Sequence, residues 1–171
     1  MSATSQPEIR PTTAGEQIAR VARYFRKLKE YEAGLPIETL VSNEHQDVTY
    51  AFFLNCYHLK DWIKADPVLS ALGNVETFIN GSFELRLCAD ICNASKHFEL
   101  TKPRSDQNPA ISVPTLMMAQ RNDKVVVRYN VETTSGSIDS FELAQSCMGA
   151  WSQFLRFDVS EWFGFDVRIG M

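Results

Sequence analysis

The chain has 171 residues, is 44% hydrophobic and 22% charged, and carries a net charge of −4. That is enough to bury a real core in one domain, and the composition is that of an ordinary globular protein. The acidic balance argues against a generic charge-driven nucleic-acid binder, although not against a local basic face, and no apolar run approaches the ~20 residues of a membrane span.

Residues 1–12 contain Pro7, Pro11 and many small polar residues, the composition of a disordered arm. They lack the basic start and apolar run of a secretory signal, so a cytoplasmic location is expected. Residues 13–171 read as one domain. A first helix is predicted from about Thr13 to Ala33, closed by Gly34 and Pro36. Ile18, Val21, Phe25 and Leu28 form its apolar stripe. Arg20, Arg23, Arg26 and Lys27 occupy the other side and read as a solvated face. A second helix starts near Ser42 or Asn43, where Asn43 and Gln46 have capping-box spacing, and stops before Pro67. Phe52, Phe53, Tyr57, Leu59, Trp62 and Ile63 make it apolar on most sides, which places it centrally in a bundle. A third long helix follows from about Asn74 to Leu100, weakened and bent at Gly81 and Ser82. The short connector between them implies antiparallel packing.

Residues 101–110 contain Pro103 and Pro109 and read as a loop. The hydrophobic period then changes from helical to two-fold. Residues 111–120 and 124–133 form strand candidates, and a hairpin is expected at about 111–132. Val125, Val127, Tyr129 and Val131 face one way, while Val126, Arg128, Asn130 and Glu132 face the other. Pro114 puts the first strand at an edge or a bulge. An isolated hairpin is marginal, so this one must lie on the helices or pair with a partner chain. Residues 134–138 read as a loop. Asp139 and Glu142 open a last helix with the stripe Leu143, Cys147, Ala150, Trp151 and Phe154. The aromatic tail from Asp158 onward is expected to dock. The expected fold is mainly α, a four-to-five-helix bundle with one antiparallel β-hairpin inserted before the last long helix.

Cys56, Cys88, Cys92 and Cys147 all fall inside predicted helices, without a CxxC pair. They read as reduced, buried small hydrophobes. Met117 and Met118 read as strand packing, and Trp62, Trp151 and Trp162 as core or interface anchors. His45 sits at a helix start and reads as a surface histidine.

The chemistry-bearing residues fall in two stripes. Arg86, Asp90, Asn93 and His97 stand at i, i+4, i+7 and i+11 of one helix, and Asn55, His58 and Asp61 share a face of another. Polar groups among aromatic and aliphatic neighbours need partners, and the simplest partner for each stripe is the other. Three readings follow. In the first, His58, Asp61, Arg86, Asp90, Asn93 and His97 form a structural network that fixes helix register in a non-catalytic interaction module. In the second, the imidazoles act on a phosphate. His97 and His58 serve as base and acid, Arg86 or Lys96 stabilises charge, and Asp61 and Asp90 contact substrate. In the third, His58, Asp61, Asp90 and His97 hold a divalent metal. There, the gap between Asp90 and His97 spans two turns, ~10 Å, which strains a mononuclear site. No metal is therefore favoured and no cofactor is expected.

The run Asn93-Ala94-Ser95-Lys96-His97, late in a helix of a bundle, resembles the end of the motif of HEPN domains (higher eukaryotes and prokaryotes nucleotide-binding). The resemblance implies His97 as acid/base or phosphate contact and Asn93 as the polar residue of the motif. It also implies a metal-independent ribonuclease or nucleotide-binding protein of bacterial mobile-element or defence type, with a composite site across a homodimer. The sequence departs from the pattern where that family carries Arg, since Cys92 precedes Asn93. The hairpin edge and the aromatic tail are the surfaces most in need of a partner, a second copy or another protein.

Overall fold

A computed structural model describes residues 13–38, 44–95, 102–111, 115–118 and 124–162. The arm at 1–12, the second helix's expected cap Asn43, the end of the third predicted helix with Lys96 and His97, and Pro114 lie outside the described residues. The chain is mainly α, with five α-helices and a small antiparallel β component among the described residues.

Helix α1 (Ala14–Ala33) begins with a capping box in which Thr13 and Glu16 satisfy each other's backbone N–H groups. It ends at Gly34, whose φ of 91° is open to glycine but strained for other residues. A Cβ there would also stand 3.1 Å from Lys124 Cβ, so the closing glycine lets a strand approach. Helix α2 (Glu44–Ala65) lies antiparallel to α1, with Gln17 against Asn55, Phe25 against Phe52 and Tyr31 against His45. Its buried set includes Phe52, Phe53, Cys56, Leu59 and Ile63, as expected of a central helix.

The expected third helix is two. Helix α3 (Val75–Gly81) stops at Ser82, which has extended backbone and caps α4 (Phe83–Ala94) by accepting from the Leu85 N–H. The break is complete, because the Ser82 side chain stabilises a new helix start more than the interior of an old one. It has a directional consequence. Phe53 meets Cys88 and His58 meets Cys92, so contacts advance together along α2 and α4. The two run in the same sense, in contrast to the antiparallel packing expected from an unbroken third helix. The last helix, α5 (Ser140–Leu155), is capped by Asp139, which accepts from Phe141 and Glu142. Leu143, Cys147, Ala150, Trp151 and Phe154 are all buried, as their spacing predicts.

The expected hairpin is present and spans Ala110–Glu132, but it is bent across two sheets. Strands β3 (Thr115–Met118) and β4 (Lys124–Arg128) pair in one sheet, with β1 (Leu35–Pro36) on the other side of β4. Strands β2 (Ala110–Ile111) and β5 (Asn130–Thr133) pair in the second, with β6 (Gly136–Asp139) on the other side of β5. Ile111 pairs with Val131 in one sheet and Thr115 with Arg128 in the other. The alternation survives the bend, with Val125, Val127, Tyr129 and Val131 all buried. Residues 134–138, expected as a loop, instead turn the chain and supply most of β6. The tight turn is set by Gly136 at φ 138° and by Thr133 Oγ1 donating to the Gly136 carbonyl.

One further expectation is corrected and one is met. His45 is 7% exposed and sits edge-on to the Tyr31 ring at 4.6 Å, so it packs rather than facing solvent. It lies where the antiparallel α1 and α2 close, a proximity that helix-start position does not reveal. The described part of the tail docks as expected: Val159 is fully buried and the Trp162 indole donates to the Gly15 carbonyl at 3.0 Å.

Candidate functional site

The second half of α2 faces α4 and the segment 102–109. Asn55 leaves this face. Its amide donates to the Ala51 carbonyl at 2.7 Å and its side-chain oxygen accepts from Gln17 of α1 at 3.3 Å. Three residues on, His58 stays on the face. Its Nδ1 lies 3.3 Å from Asp61 Oδ2, one helical turn away, and its Nε2 lies 3.6 Å from Cys92 Sγ on α4. The two helices therefore meet through His58, and the α4 partner is a thiol. The His58 and Asp61 side chains are 40% and 55% exposed, so the imidazole is held on both nitrogens yet open to solvent.

Asp90 is only 1% exposed and points the other way, into the segment after α4. One oxygen accepts the Arg104 N–H at 2.7 Å, and the other accepts the Ser105 N–H at 2.7 Å and its hydroxyl at 2.5 Å. A carboxylate with three donors tolerates burial, because these bonds replace its hydration. Arg86, one turn earlier, donates from Nη1 to the Arg104 carbonyl at 3.3 Å, while its buried Nε meets no acceptor. Arg86 and Asp90 thus grip the two ends of one peptide unit region in 102–109. The far end of that segment is tied by Gln107, which accepts from Ser135 N–H and the Thr134 hydroxyl in the β5–β6 turn. Asn93 follows Cys92 on α4 and is half-buried. His97 and Lys96 lie outside the described residues, so the sharing of one neighbourhood by the imidazoles of His58 and His97 stands as an expectation.

Arg104 links the two halves. Its guanidinium reaches Glu76 Oε2 at 3.2 Å and lies 5.6 Å from the Tyr57 ring centre. Lys60 lies over the same ring at 4.7 Å and donates to Glu76 at 3.0 Å, and Lys64 also donates to Glu76. Hydrogen bonding from Lys64, opposed by burial and joined by Lys60 and Arg104, holds the Glu76 carboxyl down at about 2. Burial alone would lower the Lys60 pKa, yet Glu76, Tyr57 and Asp61 outweigh it and hold it above its ordinary value. Three cations surround Glu76, and one of them, Lys60, also lies 3.7 Å from Asp61, the His58 partner. A hollow of about 460 Å³ adjoins this cluster, lined by Ile63, Lys64, Ser70, Asn74, Val75 and Glu76. A smaller one of about 200 Å³ lies between Tyr50, Ile91 and Ala94 and the segment 108–111.

Sequence reasoning did not find Glu76, Lys60, Lys64, Arg104 or Ser105. The spacing of Lys60 and Lys64 puts them on one face, which was a usable signal. Nothing local points to Glu76 or Arg104, which arrive from separate segments. The metal alternative finds little support in the described part of its ligand set. Among the described residues, His58, Asp61 and Asp90 do not gather as a ligand group, and Asp90 is already saturated by 102–109. No family model, curated protein or solved structure matches the chain. No helix is long and apolar enough to cross a membrane.

Proposed function

We propose that the chain is a HEPN-like protein that binds, and through His97 cleaves, RNA or a related nucleotide, and that it works as a homodimer. The observation that carries this reading is the half-exposed His58, held between Asp61 and Cys92, with Lys60 linking Asp61 to the Lys64 and Arg104 cations on Glu76. Phosphoryl chemistry needs cationic donors and a side chain that can hand over a proton, and this part of α2 carries lysines and an imidazole. The adjoining hollow falls within the ~300–1,000 Å³ range of small-ligand sites. The test is titration of a fluorescent single-stranded oligoribonucleotide and of ATP onto the full chain at low salt. Binding is expected to weaken at least tenfold in His58→Ala and Lys64→Ala. Cleavage is expected to vanish in His97→Ala with circular dichroism unchanged. Wild-type protein that binds neither ligand, or variants that bind as tightly as wild type, would overturn the reading. Sedimentation of the free protein as a monomer at assay concentration would remove the dimer from it.

The second reading, a non-catalytic interaction module, is favoured by Asp90 and Arg86. Both are spent on holding 102–109, and an architectural network needs nothing more. On that reading Asp90→Asn lowers the melting temperature and no ligand tested binds the wild type.

A further inference from the structure

Cys56, Cys88 and Cys147 arrive from α2, α4 and α5, and their sulfur atoms all lie within 4.8 Å of one another. All three are fully buried and reduced. Among the described residues no histidine or carboxylate joins them, and no other three potential ligands of these kinds come as close together. The surroundings add backbone and an indole. Cys88 donates to the Phe53 carbonyl at 3.3 Å, Cys147 donates to the Glu84 carbonyl at 3.5 Å, and the Trp151 indole donates to the Cys56 carbonyl at 3.1 Å.

We propose that Cys56, Cys88 and Cys147 form a three-sulfur site for copper(I). The donor set selects the metal. Structural zinc takes four ligands in a tetrahedron, whereas an all-thiolate site of three suits a soft monovalent ion with no need of a fourth. The geometry is close to what such an ion requires. With a metal–sulfur bond of about 2.3 Å, three sulfurs in a plane around it stand about 4.0 Å apart, so the trio contracts by less than an ångström. The ion displaces thiol protons, which leave to solvent, and no electron is transferred, so binding weakens as pH falls. Burial pushes the Cys88 and Cys147 thiols well above the ordinary range. Full enclosure also sets the route of loading: the ion enters while the helices are apart and is sealed in as they close.

The experiment is anaerobic refolding of the full chain from urea with copper(I) acetonitrile complex, followed by desalting and metal analysis. One copper per chain is expected, with an X-ray absorption spectrum showing three sulfur neighbours and no nitrogen or oxygen. Cys88→Ala and Cys147→Ala are expected to retain at least tenfold less, while Cys92→Ala, outside the trio, retains the full amount. Native protein mixed with copper without refolding is expected to load far more slowly. Copper-free wild type after desalting would overturn the proposal. So would nitrogen or oxygen ligands in the spectrum, or Cys92→Ala losing the metal while the trio variants keep it. Where a trio variant fails to refold, the wild-type spectrum alone decides.

Discussion

Helices α2 and α4 meet twice, one turn apart, and a cysteine of α4 is present at each meeting. At the first, Cys88 joins Cys56 and Cys147 under Trp151, where every side chain is enclosed. At the second, Cys92 touches His58, whose ring is partly open to solvent and paired with Asp61. The same residue type on the same helix therefore serves two environments. The difference lies in α5, which brings Cys147 and Trp151 over the first meeting, while the second keeps a half-exposed ring. A dry meeting is set by packing, so its residues should report on stability. A wet one is set by hydrogen bonds and charge, so its residues should report on pH and ligands.

That contrast breaks most sharply at Trp151. Trp151→Ala removes a fully buried indole and its hydrogen bond to the Cys56 carbonyl, and should cost about 3–5 kcal/mol in a urea unfolding curve. A loss below ~1 kcal/mol would mean that the core closes without α5. Asp90 is the buried exception on the polar side. Asp90→Ala leaves the Arg104 and Ser105 amides without their acceptor and should cost about 2–4 kcal/mol. Hydrogen exchange should show those two amides losing protection first, and protection unchanged there would refute the tether.

Glu76 sharpens the comparison through pH. Its folded pKa of about 2 lies below the ordinary 4.5, so its contribution is complete above about 4.5 and is lost as pH falls through about 2. Glu76→Gln should cost about 1–2 kcal/mol at pH 7 and converge on wild type near pH 2, as followed by thermal melts across that window. A difference that does not change with pH would assign the loss to packing. The smallest stability effect is expected at His58, where His58→Ala should shift unfolding by less than about 1 kcal/mol while weakening phosphate-ligand binding. A larger loss with binding intact would move His58 to the structural side.

Much of the architecture could be read from residue order. Stripes at helical spacing marked α1 and α5, and the two-fold alternation through Val125, Val127, Tyr129 and Val131 held even where the strand passes from one sheet to the other. The Gly81-Ser82 weakness was visible, but its outcome was not. A bend and a break share the same local signal, and only the competition between helix continuation and the Ser82 cap decides which occurs. The candidate site was legible in part. His58 with Asp61 followed from spacing, because a helix fixes the distance between residues three apart. Cys92 as the partner of His58, Asp90's turn toward Ser105, and Arg104's reach to Glu76 did not follow.

What the order of residues determined by itself was the position of α1, α2 and α5, the long strand pair, most of their buried faces and the His58–Asp61 contact within a turn, since those depend only on backbone period and the polarity of each side chain. What only the tertiary structure decided was which stripe meets which. That choice turned on the direction of α4 after its break, on which cysteines the three helices bring to one point, and on which carboxylate the segment 102–109 claims. Burial and hydrogen-bond satisfaction are properties of the assembled chain, and no local period encodes them.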